Sequence, residues 1–183
     1  MIVDHATIQR WVFKFTPMID RNFRKRKRGV GLRWRLDETY IKVNGKWRYL
    51  YRAVDKEGKT IDFLLAHRRK KRVARRFLTK AIAQNGVPIL IHIDKSGSNK
   101  GAIRAYNKRR LTMIKFRQCK YLNYKIEQDH CFITWRITNG LGYKSFKSAS
   151  VTLSGIETVR MIKKNQLENP GRFPFNSFYS LAC

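Results

Sequence analysis

Trp34-Arg35-Leu36-Asp37-Glu38-Thr39-Tyr40-Ile41-Lys42-Val43-Asn44-Gly45-Lys46-Trp47 decides the fold. It reads as a strand, a two-residue turn and the start of a second strand. Asn44-Gly45 lies between aromatic and β-branched runs, and both residues tolerate the positive φ of a type I′ turn. The pleat places Asp37 on one face with Thr39, Ile41 and Val43. A carboxylate on such a face is expected to be partly buried, where its charge is costly unless paired or bound to a metal. A carboxylate that ends a strand and points to water fits the same residues, and this stretch leaves both readings open.

Outward from the hairpin, strand one covers about 33–43, strand two 46–54 and strand three 60–66, with Lys56-Glu57-Gly58-Lys59 as a turn. These form an antiparallel meander. A helix follows over 71–84, with Val73, Phe77, Ala81 and Ile82 as its buried stripe and Asn85-Gly86 as its stop. Pro88-Ile89-Leu90-Ile91-His92-Ile93-Asp94 is a continuous apolar run bounded by turn signals, the mark of a central strand buried on both faces. A second helix fits 99–109 and a fifth strand 112–117. Ile126, His130, Ile133 and Ile137 fall at helical spacing. Leu153, Ile156 and Val159 give a last helix over 147–164, although Val151, Thr152 and Gly155 are poor helix formers. The tail from Asn165 reads as irregular. The order βββαβαβα specifies one α/β domain, a mixed sheet with helices on its faces.

Upstream, Ile8, Trp11, Val12 and Phe15 fall at i, i+3, i+4 and i+7, so 4–15 reads as a helix capped by Asp4 and ended before Pro17. Its other side carries His5, Gln9, Arg10 and Lys14, either a groove-reading set or a solvated face. A helix this short is marginal alone and needs a partner. Arg21 to Gly29 includes Arg24-Lys25-Arg26-Lys27-Arg28 and reads as a basic linker lying on phosphates, or as a solvated tether.

With 41 basic and 12 acidic residues among 183, the net charge is +29, a field that attracts polyanions. Nucleic acid is the expected partner. The longest apolar run is far too short to span a bilayer, and residues 1–20 lack the apolar core of a signal peptide, so no membrane partner is expected. Cys119, Cys131 and Cys183 are odd in number and lack C-x-x-C pairing. They read as reduced thiols in a cytoplasm, with neither zinc nor a disulfide framework.

Acids are scarce, so their positions carry information. Asp37 lies within strand one, and Asp94 ends the buried strand, where open α/β sheets bind ligands. Glu127 lies beside the Ile126/His130/Ile133/Ile137 stripe. If strand one and the Asp94 strand are neighbours, the three carboxylates can converge, and their mutual repulsion calls for divalent cations. An oxygen-rich site with few histidines favours Mg²⁺ or Mn²⁺, and two such ions serve phosphoryl transfer. His130 is expected to be a core or orienting residue, and His92 at most to support a ligand. Asp62 is expected to pair with a neighbouring base.

The blocks Trp34 to Ile41, Lys46-Trp47, Tyr49 to Asp55, Ile93-Asp94-Lys95 and Phe116 to His130 together resemble bacterial insertion-sequence transposases of the insertion-sequence-six family, within the DDE class. Leu141 to Ala149, Gly155 to Thr158 and Phe178 to Ala182 extend the resemblance to nearly the whole chain. It implies a ribonuclease-H-like, five-stranded α/β fold like the retroviral integrase core. It also implies that Asp37, Asp94 and Glu127 are the acidic triad holding two Mg²⁺ or Mn²⁺ ions. Only the recognition helix of the family's helix-turn-helix is matched, by His5 to Val12, so an N-terminally truncated copy is expected. The implied layout is a partial helix-turn-helix over 1–20, a basic linker over 21–31, the catalytic domain over 32–165 and an irregular tail over 166–183.

The function so implied is metal-dependent strand cleavage at the element end, followed by strand transfer into target DNA. The implied active form is a homodimer, cytoplasmic and associated with the nucleoid. Arg24 to Arg28 and Arg68-Arg69-Lys70-Lys71-Arg72 would hold phosphates without reading bases. His5, Gln9 and Arg10 would face the DNA groove. Two rival readings are an inactive DNA-binding remnant of such an enzyme and a basic structural RNA-binding protein. The latter has no use for three converging acids.

Overall fold

The structure, a computed structural model, describes residues 3–95, 97–119, 126, 131, 133, 135 and 142–182. β1 (Arg33–Val43) and β2 (Lys46–Asp55) pair antiparallel about Asn44 and Gly45. Those two residues adopt φ of 47° and 70°, the left-handed pair that a type I′ turn requires. β3 (Thr60–Ala66) adds antiparallel to β2. β4 (Leu90–Ile93) joins the other edge of β1 in parallel, and β5 (Lys115–Gln118) joins β4 in parallel. The sheet order is therefore β3-β2-β1-β4-β5, a mixed five-stranded sheet. Strand one and the strand before Asp94 are neighbours, as the convergence of acids requires.

The chain divides into two compact units, Val30–Gly142 and Met1–Gly29 with Tyr143–Cys183. In the first, α2 (Lys71–Asn85) and α3 (Gly97–Arg110) pack on one sheet face. Trp34 and Leu36 of β1 and Tyr51 and Ala53 of β2 meet Phe77, Leu78 and Ala81 of α2 and Ile103 of α3 in one buried cluster. The buried indole of Trp34 donates to the Gly31 carbonyl at 2.9 Å, so its polar atom is satisfied. Gly86, with φ of 82°, ends α2 where the sequence placed its stop. Asp62 accepts from Lys80 Nζ at 3.0 Å, the expected pairing with a base.

In the second unit, α1 (His5–Lys25) starts at the expected cap, where Asp4 accepts from the Thr7 amide. It does not end before Pro17. It runs on to Lys25 and takes in Arg21–Lys25, which the charge pattern assigned to a linker. The reason lies in packing that no local signal reports. Asp20 accepts from Thr158 Oγ1 at 3.1 Å, and Asn22 donates to the Leu181 carbonyl at 3.0 Å. Ile19 and Phe23 are buried. Thr158 belongs to α4 (Phe146–Lys163) and Leu181 to α5 (Pro174–Ala182). α5 corrects the reading of the tail as irregular: Pro174 opens a helix, a position where its missing N–H costs nothing. Gly155 sits within α4 because a Cβ there would stand 3.3 Å from the Thr16 side chain. By contrast, Ile8, Trp11, Val12, Phe15 and Met18 remain 36–47% exposed.

Pro17 lacks the amide that would close a helical hydrogen bond, and its ring crowds the preceding turn. Pro17 is exposed, so Pro17→Ala relieves this cost without disturbing the buried residues. The variant should raise stability by about 1–2 kcal/mol after allowing for the looser unfolded chain. Urea unfolding followed by far-UV circular dichroism measures it. An unchanged or lowered midpoint would show that the helix does not depend on this position as described.

Candidate active site

The parallel register of β1 and β4 ends at Leu36 opposite Ile93. The next residue on each strand is an aspartate, Asp37 and Asp94. Asp37, Glu38 and Asp94 each offer a carboxylate oxygen, and the three oxygens lie within 4.8 Å of one another. The sequence anticipated two members of this cluster. It overlooked Glu38, although a signal was present. Trp34, Leu36 and Glu38 alternate on one strand face, so a carboxylate follows two core residues in line.

That position governs the electrostatics. The Glu38 side chain is only 4% exposed. Burial pushes its pKa up to about 7, helped by the negative charges of Asp94 and Asp37, while Arg69 and the Asn99 amide pull it down. Arg69 Nη2 donates to Asp94 Oδ2 at 3.2 Å and to Glu38 Oε2 at 3.4 Å. Burial disfavours the guanidinium charge, but Glu38 and Asp94 together outweigh it, so the Arg69 pKa is raised. Tyr51, directly opposite Glu38 on β2, is pushed up to about 12 by its own burial, with the charge of Glu38 adding to the effect.

The donor set fits a hard divalent cation. All three groups are carboxylates, the oxygen ligands that Mg²⁺ and Mn²⁺ prefer. Glu38 Oε1 and Asp94 Oδ1 are buried atoms that accept no hydrogen bond. Asn99, in the first turn of α3, is 1% exposed, and its side-chain amide lies against Glu38. Unsatisfied buried oxygens beside clustered carboxylates are costly unless something positive binds them.

Glu127, Asp129 and His130 lie outside the described residues. His92 stands apart from the acids' field: burial, then Arg35, Arg117 and Arg33, lower its pKa. Arg69 is already engaged with two acids, whereas Arg68, Lys70, Lys71 and Arg72 are exposed. Arg24 donates to Asp20 at 2.9 Å and Arg26 to the Ser180 carbonyl at 3.0 Å. Lys27 forms a backbone bridge with Leu167, and the Arg28 amide donates to the Gln166 carbonyl. Arg24 and Arg26 are therefore held by their side chains and Lys27 and Arg28 by their backbone, while Lys25 and Arg28 are exposed. His5, Gln9 and Arg10 are exposed on α1. No helix among the described residues is long and apolar enough to cross a membrane.

Comparison with known proteins places this geometry in context. Residues 31–166 match the model of a DDE domain family. The chain is 40% identical over 166 residues to the transposase for insertion sequence-like element IS431mec of Staphylococcus aureus, covering 90% of this chain and 73% of that protein. The transposase for insertion sequence element IS257 in transposon Tn4003, also from Staphylococcus aureus, matches to the same extent. Among solved structures, the catalytic core domain of BIV integrase superposes with a TM-score of 0.55 at 15% identity, covering 82% of this chain and 95% of that one. The HTLV-2 integrase catalytic core domain in complex with magnesium gives 0.54 at 15% identity, covering 83% and 99%. At that identity, these likenesses show a shared integrase-core fold.

The Glu38 environment predicts a pH dependence in metal-free protein. Its folded pKa of about 7 lies above the ordinary value of 4.5. Between those values the folded chain holds a proton that the unfolded chain has released, so rising pH favours unfolding. Stability should fall across that window by at most about 3 kcal/mol. Glu38→Gln should flatten the fall. Thermal unfolding of both proteins at several pH values with chelator present measures it, and identical slopes would refute the burial assigned to Glu38.

Proposed function

The chain belongs to the DDE transposase family and is a DNA phosphoryl-transfer enzyme; we propose that Asp37, Asp94 and Glu127 carry that chemistry as ligands of two Mg²⁺ or Mn²⁺ ions. The observation that carries the reading is the convergence of Asp37 and Asp94 at the carboxyl end of the parallel β1–β4 pair, with oxygens within 4.8 Å. Two bound ions would supply activation of the attacking oxygen and stabilisation of the leaving oxygen.

The residues of the chain divide the remaining work. Asp37 and Asp94 hold the centre from two adjacent strands, so their spacing is fixed by backbone pairing. Glu127 completes the set. Arg69 lies directly against it, on Glu38 and Asp94, and limits its net charge. Exposed Arg68, Lys70, Lys71 and Arg72 hold the backbone phosphates and fix position without reading sequence. The basic run from Arg24 to Arg28 serves the same end, and His5, Gln9 and Arg10 face the groove. The reaction is hydrolysis of one strand at the element end, after which the freed 3′-OH attacks a phosphodiester of the target, forming a new 3′-O–P bond and releasing the target strand's own 3′-oxygen as a hydroxyl. Both ends must be processed together, which supports a homodimer as the active form. The substrate and the +29 charge support a cytoplasmic, nucleoid-associated protein.

Asp37→Ala, Asp94→Ala and Glu127→Ala should each lower Mg²⁺-dependent nicking of element-end DNA by at least about a hundredfold, more than the loss of a ligand's supporting partner. Far-UV circular dichroism should remain that of the parent, because removing a carboxylate takes no apolar packing from the fold. Substantial nicking by Asp94→Ala would sink the assignment. Duplex affinity should fall with salt at a log–log slope of about 0.9 per phosphate neutralised. A flat salt response would mean that the basic residues do not hold phosphates.

A further inference from the structure

One sheet face leads from the acids to the hairpin tip. Glu38, Tyr40 and Lys42 alternate on β1, and Tyr51, Tyr49 and Trp47 stand opposite them on β2. Toward the core this face is sealed, but toward the tip it opens: Tyr40 is 51% and Trp47 61% exposed. The rings form a continuous ladder. Tyr40 and Tyr49 have centroids 5.2 Å apart, and Tyr40 and Trp47 meet edge to face at 6.4 Å. Lys42 Nζ lies 5.9 Å from the Trp47 ring centroid. The ladder is continuous with the active site, because Tyr40 follows Glu38 on the same strand face and Tyr51 stands directly opposite Glu38.

Cross-strand aromatic pairs stabilise a hairpin on their own. Burying the rings would serve that purpose better, yet here the outermost and largest ring is the most exposed of them and carries a cation at its face. Exposed aromatics interleaved with basic side chains are how proteins hold unpaired bases, whose π-faces stack while the cations meet phosphate. We propose that Tyr40 and Trp47, with Lys42, form a stacking platform for unpaired nucleotides of the DNA strand that enters the acidic centre. This rests on the active-site reading above for the strand's direction, and it adds a binding surface for single-stranded DNA.

The test is fluorescence anisotropy with labelled oligothymidine and with a duplex of equal length, at one salt concentration and without divalent cation. Trp47→Ala should weaken single-strand binding by roughly five- to a hundredfold, the size of one lost base–aromatic stack. Duplex binding should change by less than about twofold, since phosphate contacts dominate it. Trp47→Phe should restore most of the single-strand affinity. Trp47→Leu, which keeps apolar bulk at the hairpin without a π-face, should not. Equal loss on both DNAs, no loss on either, or equal rescue by Phe and Leu would each overturn the platform. Binding is read without metal, so a failure of the cleavage assignment would leave this readout intact, and the two can fail separately.

Discussion

The parallel pairing of β1 with β4 is the constraint on which the site depends. Backbone hydrogen bonds fix Leu36 opposite Ile93, and the two aspartates follow as the next residues. Neither strand alone would hold a carboxylate to the tolerance that metal chemistry needs. Their apolar residues anchor the pair: Trp34, Leu36, Ile91 and Ile93 are all buried. Burial of side chains of this size stabilises by roughly 1.5–3 kcal/mol each, which offsets the repulsion of acids brought together at the strand ends. Site and core are thus consecutive residues on the same two strands.

The repulsion is tempered locally. In a chain with 41 basic residues, the acids still need a nearby cation, because distant charges are screened within about 10 Å in ordinary salt. Arg69 supplies it through a single guanidinium nitrogen reaching both Glu38 and Asp94. Burial of Glu38, which pushes its pKa up to about 7, keeps part of its charge off the cluster near neutral pH. These two devices allow the cluster to exist in the absence of a bound ion while leaving oxygens available to one.

How much of this was legible depended on whether the cause was local. The hairpin was readable because Asn44 and Gly45 satisfy a turn's dihedral demand by themselves. β4 was readable as a strand because an apolar run before Asp94 has few alternatives, but only Ile91 and Ile93 are buried in it, so one face is covered and not both as expected. The meander and α2 followed from short-range periodicity, and Asp37 and Asp94 stood out against scarce acids. The continuation of α1 through Pro17 was not legible, because contacts with Thr158 and Leu181, far along the chain, hold it. α5 lay hidden in a segment whose prolines looked like breakers. Glu38 was not legible as a site residue because it continues the face of buried Trp34 and Leu36, a position where alternation signals packing and not a ligand. Arg69 could be read as basic but not as the partner of two particular acids, since that pairing spans loops.

Surface turns usually absorb insertions during descent, because a longer loop costs little entropy. The Asn44-Gly45 turn is under a different regime. One residue added there would slide β2 against β1 by a position, and with a period of two every side chain beyond it would change faces. Tyr51 and Ala53 would leave the face they share with Trp34 and Leu36, and Arg52, now buried on the opposite face, would take their place. Length variation among descendants of this chain is therefore expected at other connections, while this exposed turn should keep its two residues.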